Sequence, residues 1–380
     1  MSRTPSVPRT ARTLAAGLAV AALTLTAAAC NSEAESGGPA ADGTTTIRLG
    51  ISPFQDTMIP IVAEQKGWFK EAGLNVELKS LAWDAIMPAV ASGGVDAAIN
   101  NTTGVVSVAN KATNVVYWYA WNPFTEGSAL MGKKGSGLKT LDEFVAGGLS
   151  EDAARAETFK QLKGRTIVTT MSTDMGKQVV AALESVGLSQ KDVKIVDLDP
   201  DQGLAAFLSG TGDAYLGGIP QRVRATAEGM PVLASGPDLA PPPINGLVTT
   251  TDFVGANEEA LLKLVNVFHR IIRYCDANTA DCGKIITDRL NQDTGANLTV
   301  QGFQDFWQKF ELYAPNAKAT KELILDPGGV SYWKKTWDGD NAYLTSNGSI
   351  PAAVDAGKHF LVEKTWNTYV EKYGADETGY

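Results

Sequence analysis

From residue 46 onward, short β-rich apolar runs alternate with stretches whose apolar positions recur every three or four residues. This exchange of periods predicts a mainly parallel α/β sheet. Residues 47–51 read as a first strand, 58–71 as a helix stopped near Gly73, and 75–80 as a second strand. Residues 83–91 form the next helical pattern, closed by Ser92-Gly93-Gly94; 97–100 read as a short buried strand, 105–109 as a helix, and 114–121 as a strand of unusual aromatic content. The cycle then starts again. Residues 165–170, 193–198 and 214–217 read as strands and 175–186 and 202–208 as helices, after a helical insertion at 141–159. Pro241-Pro242-Pro243 is a rigid extended spacer, and 246–251 read as one more strand. The remainder is largely helical, over 257–274, 284–290, 300–312 and 350–373, with a turn at Asp326-Pro327-Gly328-Gly329. Its tryptophans, Trp307, Trp333, Trp337 and Trp366, are read as helix packing.

The two cycles share a phrase. Ala91-Ser92-Gly93-Gly94-Val95-Asp96-Ala97 returns as Leu208-Ser209-Gly210-Thr211-Gly212-Asp213-Ala214, each with Gly-Leu upstream, at Gly73-Leu74 and Gly187-Leu188. Glycine suits the left-handed position that ends a helix, after which the chain turns directly into a strand. The phrase therefore marks two similar βαβ lobes. Asp96 and Asp213 are expected to hold backbone at strand starts and not to meet a ligand.

The N-terminus changes the picture. Arg3, Arg9 and Arg12 precede an apolar, alanine-rich run over 14–29 without an acid, which is the pattern of an export signal. The run is shorter than the roughly 20 residues that a spanning helix needs. It ends in Ala27-Ala28-Ala29-Cys30, similar to a bacterial lipobox in which Cys30 is lipidated, although an aliphatic residue is usual where Ala27 stands; plain secretion with cleavage near Ala29 is the alternative. Residues 31–45 are Gly, Ser, Ala, Glu and Thr with no large apolar side chain, and read as a flexible tether. The precursor carries a formal charge of −9, and loss of the three arginines makes the mature chain more acidic still, which argues against nucleic acid or anionic lipid as partner. Of the remaining cysteines, Cys275 and Cys282 close a short polar stretch and in an exported chain read as a disulfide. A zinc site would need more ligands, and His269 and His359, the only histidines, have no metal spacing.

Several phrases together resemble a known family. Gly50-Ile51-Ser52-Pro53, the stretch from Ala63-Glu64-Gln65-Lys66-Gly67-Trp68 to Gly73-Leu74-Asn75-Val76-Glu77, the run from Ser92, and Leu162-Lys163-Gly164-Arg165-Thr166-Ile167-Val168 are similar to the nitrate, sulfonate and taurine group of ABC-importer substrate-binding proteins. The resemblance covers roughly residues 46–251. It implies the type II periplasmic-binding fold, two α/β lobes joined by two crossing strands, placed here at about 119–131 and 246–251, with a helical C-terminal region. The expected domains are a signal peptide over 1–29, lipid anchor and tether over 30–45, lobe 1 over 46–125, lobe 2 over 126–240, and a return crossing with helices over 241–380, packed mainly on lobe 1. The implied role is an extracytoplasmic, lipid-anchored monomer that holds a small molecule by hinge closure and hands it to a membrane permease and its ATPase. No cofactor is expected. The chain lacks the Gly-Lys-Ser/Thr loop of that ATPase.

Ligands in such sheets bind beyond the carboxyl ends of strands, where helix N-termini offer free N–H groups. That rule selects Phe54, Gln55, Asp56 and Thr57, then Trp83 and Asp84, then Asn101 and Thr102 in the first lobe. In the second it selects Met171, Ser172, Thr173 and Asp174, with Ile219 and Gln221, while Tyr119 and Trp121 lie between. Thr57, Asp84, Thr103 and Asp174 have helix capping as their other reading, which for Asp84 and Thr103 stands level with ligand contact. These loops contain no arginine, Arg222 being the nearest, and several carboxylates. The expected ligand is thus neutral, zwitterionic or amine-bearing, with Asp56, Asp84 or Asp174 receiving the amine; taurine or an aminopyrimidine fits better than a bare anion. An enzyme is the rival class, yet no Gly-x-Ser-x-Gly elbow occurs. Asp197-Leu198-Asp199-Pro200-Asp201-Gln202-Gly203 fails as a calcium loop because its glycine falls one place late and Leu208 stands where a glutamate is needed. A ligand-sensing lipoprotein on the same fold, or a pyrimidine-related enzyme, remains the alternative.

Overall fold

Thr45–Ile51 forms β1, and its burial alternates before becoming continuous, as expected of a strand entering a core. The computed structural model describes residues 44–125, 127–309 and 311–380. The expected export signal, Cys30 and nearly all of the tether lie outside the described residues. After β1 come α1 (Pro60–Lys66) and α2 (Trp68–Glu71), where a single helix was expected; the chain breaks at Gly67. Next are β2 (Leu74–Ser80), α3 (Trp83–Ala91), β3 (Ala97–Asn101), α4 (Thr102–Ala109) and β4 (Val115–Pro123). The second cycle holds β5 (Ala129–Gly132), α5 (Leu141–Ala146), α6 (Glu151–Lys160), β6 (Thr166–Thr169), α7 (Asp174–Glu184), β7 (Lys194–Asp197), α8 (Pro200–Leu208), β8 (Ala214–Gly217), α9 (Ile219–Ala227) and β9 (Val232–Ser235). Among the described residues the chain then gives β10 (Ile244–Thr250) and seven α-helices: α10 (Thr251–Ala277), α11 (Thr279–Thr294), α12 (Val300–Lys309), α13 (Ala317–Thr320), α14 (Trp333–Ser346), α15 (Ala356–His359) and α16 (Val362–Tyr373).

Two five-stranded sheets result, in the orders β2-β1-β3-β10-β4 and β7-β6-β8-β5-β9. Each has a parallel core, β2-β1-β3 and β7-β6-β8, followed by one antiparallel strand, β10 or β5. The first sheet is thus completed by a strand that arrives only after the second has been built. The repeated phrase does the same work in both. Arg48 N donates to Asp96 Oδ2 at 2.8 Å while Asp96 N donates to Arg48 O at 2.9 Å. Likewise Thr166 N donates to Asp213 Oδ2 at 2.9 Å and Asp213 N to Thr166 O at 2.7 Å. Gly93 and Gly210, at φ 74° and 113°, take the left-handed turn.

Two links join the lobes, residues 124–128 and 236–243. The second crossing had been expected at 246–251; those residues lie almost wholly within β10, between β3 and β4. The crossing sits upstream because consecutive prolines cannot donate ladder hydrogen bonds.

The C-terminal helices cover both faces of the first sheet. Leu261, Val265 and Phe268 of α10 join Leu49, Trp118 and Trp121 in one core, whereas Trp337 and Leu344 of α14 join Val105, Tyr117 and Val248 in another. Trp307 stacks on Tyr313, Trp333 on Phe360, and the Trp366 indole donates to Ala317 O, so these tryptophans do pack helices. The helix expected over 350–373 is shorter and split, and α14 had not been anticipated. Cys275 and Cys282 are disulfide-bonded, both buried, joining the end of α10 to the start of α11. Among the described residues no helix is long and apolar enough to cross a membrane.

Candidate functional site

Residues that follow β1, β2 and β3 meet residues that follow β6 and β8 around two adjoining chambers. The inner one, about 20 Å³, is lined by Phe54, Asp56, Trp83, Asn101, Phe124 and Asn245 from the first lobe and its links, and by Asp174, Met175 and Gly218 from the second. It holds about one water's worth of space. The outer chamber, about 350 Å³, has Trp83, Asp84, Met87, Asn100, Asn101 and Ser107 on one side, Ser172 and Thr173 on the other, and Ser349 from the C-terminal region. That volume is in the range of small-molecule sites. Trp83 and Asn101 face both chambers.

Phe54 and Trp83 meet edge to face, ring centres 5.5 Å apart, and pack with Leu130, Met175 and Leu216 of the second lobe. Two rings from one lobe thereby enter the core of the other. Gly218 permits this, since a Cβ there would lie 2.8 Å from the Phe54 ring. Ile219, from the second lobe, is buried in the first lobe's core and does not line a chamber.

The charged centre is a pair of carboxylates from opposite lobes. Asp56 is 4% exposed and accepts from Asn245 Nδ2 at 2.6 Å. Burial, with the Asp174 charge adding to it, pushes Asp56 up to about 7. Asp174, also 4% exposed, is pushed up by burial, while the Asn101 amide and Lys177 favour its charged form. Asn101 Oδ1 accepts from Gly104 N at 3.1 Å and so caps α4, the role considered for Thr103; its Nδ2 is near enough to Asp174 to favour the charge there but has no acceptor within hydrogen-bond distance. Other buried atoms are likewise unpartnered: Gln55 Nε2, Asp174 Oδ1, Gln178 Oε1, Gln221 Oε1 and Asn245 Oδ1; Gln55, expected as a contact, lines neither chamber. Each such atom costs on the order of 1–3 kcal/mol unless something bonds it. Among the described residues, neither chamber is lined by arginine or lysine. Arg222 lies over the Phe306 ring at 5.5 Å, and Lys177 Nζ is held by Asp340 at 2.6 Å.

Several expected positions stand elsewhere. Thr57 neither caps a helix nor lines a chamber; its hydroxyl donates to Ser52 O within its own loop. Tyr119 and Trp121 lie in the core of the first lobe, Trp121 stacked on Phe268 at 4.4 Å and Tyr119 beside His269 and Tyr369. This corrects their placement in the cleft: β4 is buried on both faces, and α10 takes these rings. Thr102 donates to Asp340 at 2.6 Å and Gln221 Nε2 to Asp201 at 2.8 Å, so both are engaged beside the site and line neither chamber. Met171 lines neither chamber: its N–H donates to Asp197, its carbonyl accepts from Tyr343, and its side chain packs against the core that holds Trp337 and Leu344. Thr173 caps α7 and also lines the outer chamber; Asp84, exposed, lines it without capping α3. Asn245, Phe124 and Ser349 were not among the expected contacts. A lone asparagine in the apolar run Ile244-Asn245-Gly246-Leu247-Val248 was the one signal available for Asn245.

The sequence profile of the NMT1-like family matches residues 40–287, both sheets included. The chain belongs to the NMT1-like family. Comparison with curated proteins returned no match. The fold of this NMT1-like chain is similar to the alkanesulfonate-binding protein of Xanthomonas axonopodis pv. citri, bound to MOPS, at 15% identity and TM-score 0.61, over 84% of this chain and 97% of that one. It is also similar to the periplasmic nitrate-binding protein of Synechocystis PCC 6803, at 17% identity and TM-score 0.62, over 87% and 89%. A third is the zinc-bound ligand-binding component of an ABC-type import system from Staphylococcus aureus, at 12% and 0.63, over 85% and 98%. The family resemblance and the two-lobed binding-protein fold read from the sequence therefore hold. Among the described residues of the NMT1-like chain, no group of three or more His, Cys, Asp or Glu could hold a metal.

Proposed function

We propose that the protein is the extracytoplasmic substrate-binding subunit of an ABC importer and captures a small, amine-bearing organic solute between its lobes. The pairing of Asp56 and Asp174 carries this reading: two buried carboxylates, one per lobe, repel each other unless a cation or a proton lies between them. An ammonium or protonated amidine satisfies both, and the unpartnered amides around them suit a ligand with donors and acceptors of its own. The inner chamber takes the amine and the outer chamber the body of the solute; taurine or an aminopyrimidine has the right size and groups. Trp83 covers the ligand where the chambers join. The transport role is supported by the fold shared with sulfonate- and nitrate-binding proteins and a component of an import system. Export and a lipid on Cys30 are proposed from the signal-like N-terminus, and the mass of the mature N-terminal peptide tests them.

A thermal-shift screen at pH 8 of taurine, short sulfonates, aminopyrimidines, simple amines and nitrate tests the ligand class, since a solute bound only to the folded chain raises its melting temperature. Stabilisation by amine-bearing compounds is expected. Tight binding of nitrate with no response to any amine would overturn the assignment.

A further inference from the structure

We infer that Asp340 is a positioning residue for solute capture, fastening the first turns of α4 and α7 to one another behind the chambers. This rests on the chambers being the solute site, because those two turns carry Asn101 and Asp174. Asp340 lies on α14 and its side chain is fully buried. One of its oxygens accepts from Thr102 at 2.6 Å and the other from Thr103 at 2.8 Å, both on α4 of the first lobe. The Thr103-bonded oxygen also takes Lys177 Nζ at 2.6 Å, from α7 of the second lobe. A single carboxylate thus joins both lobes through groups within three residues of Asn101 and Asp174.

A second contact repeats the arrangement one turn along α14. The Tyr343 hydroxyl donates to Met171 O at 2.6 Å, in the loop that leads into α7. Gly176 leaves room for it, since a Cβ there would lie 2.4 Å from that hydroxyl. Val180 of α7 joins Trp337 and Leu344 of α14 in a core shared with the first lobe. Buried ion pairs contribute little net stability against an apolar substitute, whereas in some proteins they fix one arrangement over others. Here the arrangement fixed is the closed relation of α4 to α7, and at Asp174 the Asp340 charge opposes that of Lys177.

Hydrogen exchange and small-angle scattering of the mature chain with no solute added test the assignment, so the outcome is independent of which solute is bound. For Lys177→Met, amides at the start of α7 and at the start of α4 should exchange at least tenfold faster, and the radius of gyration should rise. Lys177→Arg, which keeps the charge, should restore both. Exchange that quickens in the second lobe alone, or a scattering profile identical to the unaltered chain, would overturn the coupling. Loss of protection throughout the first sheet would show a merely structural ion pair and overturn it equally.

Discussion

Asp56 and Asp174 make opposite demands on the empty and the loaded cleft. Replacing either by asparagine removes one charge-assisted bond to an ammonium and should weaken an amine-bearing solute at least tenfold by calorimetry. The pH dependence follows from the raised Asp56. Folded, it titrates near 7, whereas unfolded it titrates near the ordinary carboxylate value of about 4. Between those values the folded chain holds the extra proton, so solute-free stability falls as pH rises through this window and levels off above it. The melting temperature should therefore be higher at pH 5 than at pH 8, and Asp56→Asn should flatten the profile. Solute affinity should run the other way, weakening as Asp56 is protonated below about pH 7. Trp83 lines both chambers, so solute should shift intrinsic fluorescence and Trp83→Phe should abolish the shift, while Trp121, stacked in the core, contributes none. Phe54, Asp56, Trp83, Asn101 and Asp174 were legible in sequence because each follows a strand that a local pattern reveals. Asn245 was not, because its strand is placed in the first sheet by a pairing more than a hundred residues distant.

Elements were legible where hydrophobic period and glycine stops coincide, as in α3, β8 and the repeated phrase. They were missed where a local rule misled. The start of α9 reads in the sequence as part of a ligand loop, yet Pro220 stands in the first turn of a helix, where its missing N–H has no partner to lose. α14 escaped because Lys334, Lys335, Asp338 and Asp340 break its apolar stripe, and one of those charges is buried. At the turn between β8 and α9, Gly218→Ala would drive a methyl into the Phe54 ring. Each lobe should still fold, but scattering should show a more open form and solute binding should weaken by an order of magnitude.

For the whole molecule, an amine-bearing solute should draw the opened Lys177→Met chain closed again about its two links and lower its radius of gyration. The Cys275–Cys282 disulfide acts on stability instead. It closes a short stretch between α10 and α11, and replacing both cysteines by serine should cost about 2–3 kcal/mol in denaturant unfolding while leaving solute affinity unchanged. The strand order has a consequence for synthesis. All five strands of the second sheet come from residues 129–235, whereas the first sheet needs β10, which cannot join it until residue 250 has been made. On the ribosome the lobe encoded second is thus the first to be whole. The lobe encoded first waits with β3 and β4 unbridged, and a nascent chain halted before β10 should be digested by protease from its N-terminal half.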